Sequence, residues 1–211
     1  MKGLIVLNGK IEDLIKLKEI GIKSDFILSA DGGTDYCFKA GLIPNVVIGD
    51  LDSISEESLK KIKEENIPIV KFPTKKDKTD SELSIDYLVE MGIKDITLVG
   101  AIGSRMDHTL ANIFLLNKMN EKGINIQIID NYNVIYLVDD ELIIPNNEGY
   151  FVSIIPVDSS GIVVSLKGFE YELDKVKIEF SSTHGISNRV TELEGYIKVH
   201  KGKCYVIISK D

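Results

Sequence analysis

The sequence contains no tryptophan, only two cysteines in 211 residues, and no long uninterrupted apolar run. Two cysteines, Cys37 and Cys204, are too few for a disulfide framework, so nothing indicates an oxidising compartment. No apolar run approaches the roughly 18 residues that a membrane helix needs, which predicts no membrane span. The short run Gly3–Leu7 is followed at once by polar and charged residues, unlike a signal peptide. We therefore expect a folded protein of the cytoplasm.

The sequence also has fewer basic than acidic residues. The chain has 25 lysines and arginines against 33 aspartates and glutamates, which gives a formal charge of −8 and a pI of about 5.0. A net negative charge does not favour binding to the negatively charged backbone of a nucleic acid, so we expect neither DNA nor RNA as a partner. Hydrophobic residues make up 44% of the chain and charged residues 27%, a mixture that excludes wholesale disorder.

Residues 1–130 alternate short β-rich runs with segments of helical period, which predicts βαβ units and a mostly parallel sheet. Ser55 is predicted to cap a helix over Glu56–Glu65, and Thr79 forms a capping box with Glu82 at the start of another. A third helix is predicted over Thr109–Lys122. The six predicted strands are Leu4–Leu7, Phe26–Leu28, Val46–Ile48, Ile69–Phe72, Ile96–Val99 and Ile126–Ile129.

Residues 131–211 contain only short runs of β-branched or aromatic residues, separated by turn signals. No segment there keeps a helical period for three turns. We therefore expect an α/β N-terminal domain over residues 1–130, followed by an all-β, sandwich-like C-terminal domain over residues 131–211. The predicted strands of the second domain are Val134–Val138, Leu142–Ile144, Tyr150–Ile155, Ile162–Leu166, Val176–Phe180, Tyr196–Val199 and Cys204–Ile208.

Aspartates cluster in the turns after the predicted parallel strands, which meet at one sheet edge, where α/β proteins bind ligands. If the backbone stays extended, Asp50 and Asp52 point to the same side and repel unless a cation lies between them. Oxygen ligands without histidine or cysteine suit Mg²⁺, so we predict a magnesium site. Each aspartate alone could equally cap a helix or face solvent. The cluster comprises Asp31, Asp50, Asp52, Asp77, Asp80 and Asp107.

Two glycine-rich turns are candidates for phosphate binding. Asp31-Gly32-Gly33 follows a strand and precedes a helix, so its backbone N–H groups can face an anion. Gly100–Arg105 has the same setting and ends in a guanidinium suited to phosphate. Neither turn matches the Walker or dinucleotide pattern, which disfavours P-loop and nicotinamide enzymes. Lys75, Lys76 or Lys78 could also meet phosphate, or could simply form a solvated face.

Two further polar groups indicate a site. The segment Arg105–His108 continues into the predicted third helix, so that His108 and Asn112 share one face at spacing i, i+4, although a capping or interdomain hydrogen bond would also explain His108. In the β domain, Ser181–Asn188 is dense in hydroxyl and amide groups that could bind a heterocycle. A loop rich in turn-forming residues is the alternative there.

Taken together, these segments resemble the thiamine pyrophosphokinase family. The matching strings, in the family's order, are Ala30–Gly33, Gly49–Ser53, Asp77–Asp80, Gly100–His108 with Asn112, and Gly185–Asn188. The resemblance implies transfer of an intact diphosphoryl group from ATP to the hydroxyl of thiamine, on a Mg²⁺ site, with release of AMP. It also implies a homodimer with active sites at the subunit interface. The first domain would be the nucleotide-binding catalytic domain and the second the thiamine-binding domain.

The resemblance also assigns roles to single residues. The catalytic residues would be Asp50, Asp52, Asp80 and Arg105, and the three aspartates would hold the metal. The ATP-binding residues would be Asn8, Asp31, Gly32, Gly33, Asp77, Lys78, Thr79, Asp107, His108 and Asn112. Ser187 and Asn188 would contact thiamine. Some family members place a tryptophan against the thiamine rings, so this chain must use another residue.

Two other functions remain open. A pyrophosphokinase for another hydroxymethyl heterocycle, such as a pterin, would use the same acidic and glycine-rich motifs, but Gly185–Asn188 favours thiamine. A non-catalytic ATP-binding sensor would bind ATP with Mg²⁺ and release no AMP. The two acidic motifs argue against a sensor, because nucleotide binding alone needs fewer carboxylates.

Overall fold

The computed structural model describes residues 1–71 and 77–210, and the chain divides into two compact units, Met1–Asn131 and Tyr132–Asp211. Strands and helices alternate along the first unit, and strands alone make up the regular structure of the second over the described residues. Within the described ranges, no helix has the length and apolar character to cross a membrane.

The first unit contains a parallel sheet of six strands in the order β4-β3-β2-β1-β5-β6. This confirms the predicted parallel α/β arrangement, and the Phe72 end of the fourth predicted strand lies outside the described residues. In chain order the elements are β1 (Lys2–Val6), α1 (Leu14–Ile22), β2 (Phe26–Ala30), α2 (Gly33–Lys39), β3 (Val46–Ile48), α3 (Glu56–Glu64), β4 (Ile69–Val70), α4 (Asp80–Glu90), β5 (Asp95–Val99), α5 (Met106–Asn120) and β6 (Asn125–Ile129).

Helices cover both faces of this sheet. Leu4 and Val6 of β1 pack in a buried cluster with Leu17 of α1. Gly3, on the opposite face, lies so close to α4 that a Cβ would be 2.7 Å from the Leu88 side chain. The strands are therefore buried on both sides, and the loops after them all open at one edge of the sheet.

The helix starts follow the predicted caps except at α5. The hydroxyls of Ser55 and Thr79 each accept a hydrogen bond of 3.3 Å from the N–H three residues further on, which confirms both predicted caps. Helix α5 begins at Met106, three residues before the predicted start at Thr109. Arg105 occupies its N-cap position without a side-chain capping bond, so the sequence carries no start signal there.

The second unit is a β sandwich, as predicted. One sheet has the order β7-β13-β9, the other β11-β10-β12-β8, and all their pairings are antiparallel. A single buried apolar cluster draws side chains from both sheets, including Ile154, Val206, Val164 and Ile197. The strands are β7 (Asn133–Val138), β8 (Glu141–Pro145), β9 (Phe151–Pro156), β10 (Ile162–Lys167), β11 (Leu173–Ile178), β12 (Glu194–Lys201) and β13 (Cys204–Ser209).

One strand of this unit is displaced from its predicted position. Strand β11 covers Leu173–Ile178, whereas the apolar pattern predicted Val176–Phe180. Lys175 has a positive φ of 51°, and the register with β10 shifts between Val164 and Leu166. Such a bulge interrupts the two-residue alternation of side chains, so the apolar pattern does not reveal where the strand begins.

Both cysteines belong to these cores. Cys37 is buried in the first unit and Cys204 in the second, and neither forms a disulfide. Burial raises the pKa of each thiol to about 12. The thiols therefore stay protonated at neutral pH and act as small apolar side chains.

Candidate active site

A cleft of about 590 Å³ opens in the first unit at the edge where β1, β2 and β5 end. Its walls are the loops after these strands and the first residues of α4 and α5. Of the residues predicted for the site, the cleft brings together Asn8, Asp31, Thr79, Asp80, Arg105, His108 and Asn112. This is the edge at which parallel α/β sheets bind ligands.

The Asp31 carboxylate lies directly over Gly49. A Cβ at position 49 would be 1.7 Å from Asp31 Oδ1, and the φ of Gly49 is +133°, so only glycine fits. Asp31 itself has a positive φ of 45°, and its N–H donates to the carbonyl of Ile48 at 2.9 Å. The loops after β2 and β3 are therefore in direct contact, and they bring Asp31 close to Asp50 and Asp52.

The surroundings of Asp31 disfavour the ionised form of its carboxyl group. Within the described part of the chain its Oδ1 atom is buried and has no hydrogen-bond partner. Burial, and then the charges of Asp80 and Asp50, raise the pKa of Asp31 from the ordinary 3.8 to about 6, although the Leu51 N–H acts in the opposite direction. The carboxylates of three loops therefore repel one another, and a bound cation would relieve that repulsion.

The backbone between Asp50 and Asp52 is not extended, contrary to the expectation from the i, i+2 spacing. Leu51 has a positive φ of 74°, which costs a non-glycine residue about 1–3 kcal/mol, and its side chain packs toward Ile62 in the core. The turn lets the Asp52 N–H donate to Asp50 Oδ1 at 3.2 Å. The neighbouring Asp50 carboxyl also raises the pKa of Asp52, so the two acids interact through a turn rather than an extended strand.

Asp80 is the first residue of α4, where its charge favours the helix dipole. Lys78, two residues earlier, has its ammonium 2.6 Å from an Asp86 carboxylate oxygen, and this ion pair raises its pKa. Lys78 is thus bound to α4 in this structure. Lys75 and Lys76, the other two lysines considered for phosphate contact or for a solvated face, lie outside the described residues.

The donor set suits a hard cation. The acids supply only oxygen atoms, and the buried Asp31 Oδ1 lacks a hydrogen-bond donor among the described residues. Across residues 1–71 and 77–210, no three histidine, cysteine, aspartate or glutamate side chains are close enough to hold a metal by themselves. Mg²⁺ commonly takes one or two carboxylates together with water and substrate phosphates, and these acids fit that mode of binding.

Backbone N–H groups of the first glycine-rich turn form hydrogen bonds within the protein. The N–H of Gly32 donates to the hydroxyl of Ser53 at 3.0 Å, and the N–H of Thr34 donates to Asp31 at 3.0 Å. At Gly33, a Cβ would be 2.2 Å from the carbonyl oxygen of Val6, so this glycine lets α2 approach β1. The N–H of Gly32, which the sequence suggested would face an anion, therefore connects the loop after β2 to the loop after β3.

Side chains of α5 hold the second glycine-rich turn, Gly100–Arg105, in place by hydrogen bonds. The N–H of Gly103 donates to Thr109 Oγ1 at 3.2 Å, and the side-chain amide of Asn112 donates to the carbonyl of Ala101 at 2.8 Å. Both Thr109 and Asn112 are buried. The Asn112 amide therefore holds the loop in place, in addition to the ligand contact that the sequence predicted for this residue.

Basic groups line the cleft beside the acids. Arg105 forms a two-point ion pair with Asp107, with contacts of 2.6 and 3.2 Å, and Arg105 lowers the pKa of Asp107. His108 follows on the first turn of α5 and borders the cleft with Arg105. Lys10, from the loop after β1, borders it as well and is ion-paired with Glu12. The cleft thus combines carboxylates with cationic groups that suit phosphate.

Sequence reasoning missed several residues of this cleft. Lys10, Ser81 and Ser104 line it although none was predicted for the site. Their position offered a signal, because each adjoins or lies within a motif that was singled out. Thr109 offered none, since a buried threonine on a helix has the same pattern as a core residue.

The two predicted thiamine-binding residues lie in the second unit. The side chain of Asn188, only 6% exposed, donates to the carbonyl of Tyr171 at 2.8 Å and accepts from the Tyr171 N–H at 3.1 Å. The backbone of Asn188 pairs with Val152 on the edge of β9. The N–H of Ser187 donates to Ser153 Oγ at 3.1 Å. The segment therefore forms an ordered edge, and the Asn188 amide positions Tyr171.

Comparison with known proteins decides the family. A family model described as the catalytic domain of thiamin pyrophosphokinase matches residues 17–128, and one described as its vitamin B1 binding domain matches residues 141–204. The thiamine pyrophosphokinase of Bacillus subtilis is 33% identical over 186 residues, which cover 87% of each chain. The chain belongs to the thiamine pyrophosphokinase family.

Solved structures of thiamine pyrophosphokinases have the same fold. The Bacillus subtilis structure matches with a TM-score of 0.89 and 32% identity over 100% of both chains. The Geobacillus thermodenitrificans structure matches with a TM-score of 0.84 and 30% identity, over 100% of this chain and 98% of the other. These matches confirm the predicted family, fold class and enzyme activity, the ATP-dependent pyrophosphorylation of thiamine; a pterin kinase or a sensor is not favoured.

The electrostatic penalty at Asp31 predicts a pH-dependent gain in stability for Asp31→Asn in EDTA. Between pH 3.8 and about 6 the folded state keeps a proton that the unfolded state has lost, so ionisation destabilises the wild type as pH rises. The shift sets an upper limit of about 3 kcal/mol, and solvent screening of this half-buried group reduces it to about 1 kcal/mol. We expect the variant to unfold about 2–4 °C above the wild type at pH 8.

Thermal unfolding followed by circular dichroism between pH 4 and pH 8 measures this effect. The stability difference should be smallest near pH 4, grow toward pH 6 and then level off. Glu148→Gln, which removes an exposed carboxylate from the second unit, is the control and should show no such trend. A difference for Asp31→Asn that does not change with pH, or a loss of stability at pH 8, would contradict the account.

Proposed function

We propose that the diphosphoryl transfer takes place in the cleft of the first unit with Mg²⁺ as the metal. The observation that carries this proposal is the meeting of Asp31, Asp50, Asp52 and Asp80 at one sheet edge, within the segment that matches the catalytic domain. The hydroxyl of thiamine releases its proton to water, and its oxygen forms a bond to the β-phosphorus of ATP. The bond from that phosphorus to the oxygen of the α-phosphate breaks, and AMP leaves with the electron pair.

The side chains of the cleft bind and orient ATP for this step. Asp50, Asp52 and Asp80 are the proposed metal ligands, one or two of them bound directly and the remainder through water, and when bound the ion would supply charge neutralisation to the phosphates. Arg105 offsets negative charge that develops on the leaving AMP, as guanidinium groups do in phosphoryl transfer. The residues that we propose to contact ATP are Asn8, Asp31, Gly32, Gly33, Asp77, Lys78, Thr79, Asp107, His108 and Asn112.

Replacement of Asp52 by asparagine tests the metal assignment. Asp52→Asn keeps the shape of the side chain but removes a negative charge, so turnover should fall about 100-fold or more while the unfolding temperature stays close to wild type. The assay incubates the enzyme with ATP, Mg²⁺ and thiamine and separates AMP and thiamine diphosphate by chromatography.

The matched control for Asp52→Asn is Asp25→Asn. Asp25 precedes β2 at the opposite edge of the sheet, where its carboxylate accepts the Lys2 N–H, so turnover should not change. Wild-type activity in Asp52→Asn would make the metal assignment wrong. AMP release with a pterin alcohol in place of thiamine would favour the other kinase, and ATP binding without AMP release from any acceptor would favour the sensor.

We propose that the second unit binds thiamine through Ser187, Asn188 and Tyr171. Thiamine is a cation with two aromatic rings, and such ligands bind well against an exposed aromatic face. Tyr171 is 65% exposed, and its backbone is fixed by two hydrogen bonds with the Asn188 side chain, which donates one to the Tyr171 carbonyl and accepts the other from the Tyr171 N–H. In a chain without tryptophan, this positioned ring supports the proposal that Tyr171 supplies the stacking surface.

Tyr171→Ala should raise the KM for thiamine about 5- to 30-fold, because an aromatic or cation–π contact contributes about 1–2 kcal/mol. The KM for ATP should not change. Tyr171→Phe and Tyr171→Trp keep an aromatic face and should retain most of the affinity for thiamine. Steady-state kinetics with each substrate varied in turn measure both constants, and an unchanged thiamine KM in Tyr171→Ala would exclude the stacking role.

We also propose that the enzyme is a homodimer with its active sites at the interface. Met106, Leu110 and Phe114 lie at spacing i, i+4, i+8 on α5 and are 62%, 46% and 62% exposed. Such an apolar stripe is typical of a protein-binding surface. The same helix begins beside Arg105 and His108, so a second copy bound to the stripe would border the cleft.

The double variant Leu110→Glu with Phe114→Glu should sediment as a monomer, because four buried charges would oppose dimer formation across a symmetric contact. Its turnover should fall with its self-association. Ile15→Glu, which changes an exposed isoleucine of α1, is the matched control and should remain dimeric and active. A double variant that stays dimeric would contradict the proposed surface, and a fully active monomer would contradict the interfacial site.

We propose the cytoplasm as the site of this reaction. ATP and Mg²⁺ are abundant there, and its reducing conditions agree with two buried, unpaired thiols at Cys37 and Cys204.

A further inference from the structure

We propose that Ser53 is a positioning residue whose hydroxyl ties the loop carrying Asp50 and Asp52 to the turn carrying Asp31. This inference rests on the proposed function, since it concerns how the acids are held for Mg²⁺ and ATP. The Gly32 N–H donates to Ser53 Oγ at 3.0 Å, and this bond joins residues 21 positions apart in the chain.

Hydrogen bonds hold both ends of the acidic turn, residues 49–53, and the Ser53 hydroxyl accepts the one at the far end. Before the acids, the Asp31 N–H donates to the carbonyl of Ile48 at 2.9 Å, and the Gly49 N–H donates to the carbonyl of Val70 at 3.3 Å. On the far side, the Ser53 hydroxyl fastens the loop back to Gly32. The two acids between these anchors, Asp50 and Asp52, are therefore held at both ends against the same neighbouring turn.

These hydrogen bonds at the two ends of the acidic turn oppose the repulsion among the carboxylates. The Asp31 carboxylate, pressed onto Gly49, faces the charges of Asp50, Asp52 and Asp80. Without a tie beyond the acids, the turn around Leu51, which already has a positive φ, would relax away from Asp31. A cation and a nucleotide phosphate would then have to reorder the loop when they bind, and affinity would fall accordingly.

The chain offers a matched control two residues further on. The Ser55 hydroxyl caps α3 by accepting from Ser58, and it donates to Asp35 at 2.9 Å, outside the acidic turn. Both positions are exposed serines on one loop, so replacing either by alanine removes the same chemical group. Of these two serines, Ser53 is the one whose hydroxyl bonds to the turn that carries Asp31.

The experiment compares Ser53→Ala, Ser53→Thr and Ser55→Ala with the wild type. Calorimetry measures binding of MgCl₂ with α,β-methylene-ATP, an analogue that cannot transfer its diphosphoryl group, and circular dichroism in EDTA measures thermal unfolding. We expect Ser53→Ala to bind the magnesium nucleotide about 3- to 10-fold more weakly, since one neutral hydrogen bond is lost. Its unfolding temperature in EDTA should stay near that of the wild type, because separation of the mutually repelling acids offsets the lost bond. Ser53→Thr keeps the hydroxyl and should restore binding.

The control should show the opposite pattern. Ser55→Ala loses a helix cap, so its unfolding temperature should fall by about 2–4 °C while its nucleotide affinity stays at the wild-type value. The inference is overturned if Ser53→Ala binds as tightly as the wild type, or if Ser55→Ala weakens binding equally. A wild type that binds no magnesium nucleotide would instead overturn the proposed function and this inference with it.

Discussion

Mutual repulsion among carboxylates on three neighbouring loops is the constraint on which the rest of this structure depends. Asp31 is half-buried against Gly49 and faces the charges of Asp80, Asp50 and Asp52. Such an arrangement destabilises the folded chain at neutral pH, because each acid disfavours ionisation of the others. A cation bound among these carboxylates would offset their repulsion, so the charges that lower the stability of the free protein would favour binding of a metal with its phosphate ligands.

The parallel sheet makes this arrangement possible. Its strands are buried on both faces, so their loops can bear strain without loss of the core. The strain is visible as positive φ angles at Asp31 and Leu51, two non-glycine residues of adjoining turns. Short hydrogen-bonded ties, such as those from Gly32 to Ser53 and from Asp31 to Ile48, keep the turns from separating. Rigid strands and short ties together hold charges that would otherwise move apart.

Local chemistry made much of this fold predictable from the sequence. Strand β3 covers Val46–Ile48 as its apolar run indicated, and the caps at Ser55 and Thr79 lie where hydroxyls precede helical segments. The edge location of the acids also followed from the sequence, since loops after parallel strands must share one side of the sheet. In each case the signal lies within a few residues of the feature, so the pattern alone was enough.

Features that depend on distant partners could not be predicted in this way. The bend at Leu51 results from packing of its side chain in the core while its neighbours turn outward, which the i, i+2 spacing cannot show. Asn188 bonds to the backbone of Tyr171, 17 residues away, and Thr109 bonds to a loop that the sequence had placed before the helix. Such side-chain to backbone bonds are settled only when the elements pack.

A crystal structure with Mg²⁺ and α,β-methylene-ATP would test the central claim most directly. We expect a magnesium ion held by Asp50, Asp52 and Asp80, directly or through water, and by phosphate oxygens of the nucleotide, in the cleft beside Asp31. A nucleotide bound in that cleft with these acids apart and no ion among them would contradict it.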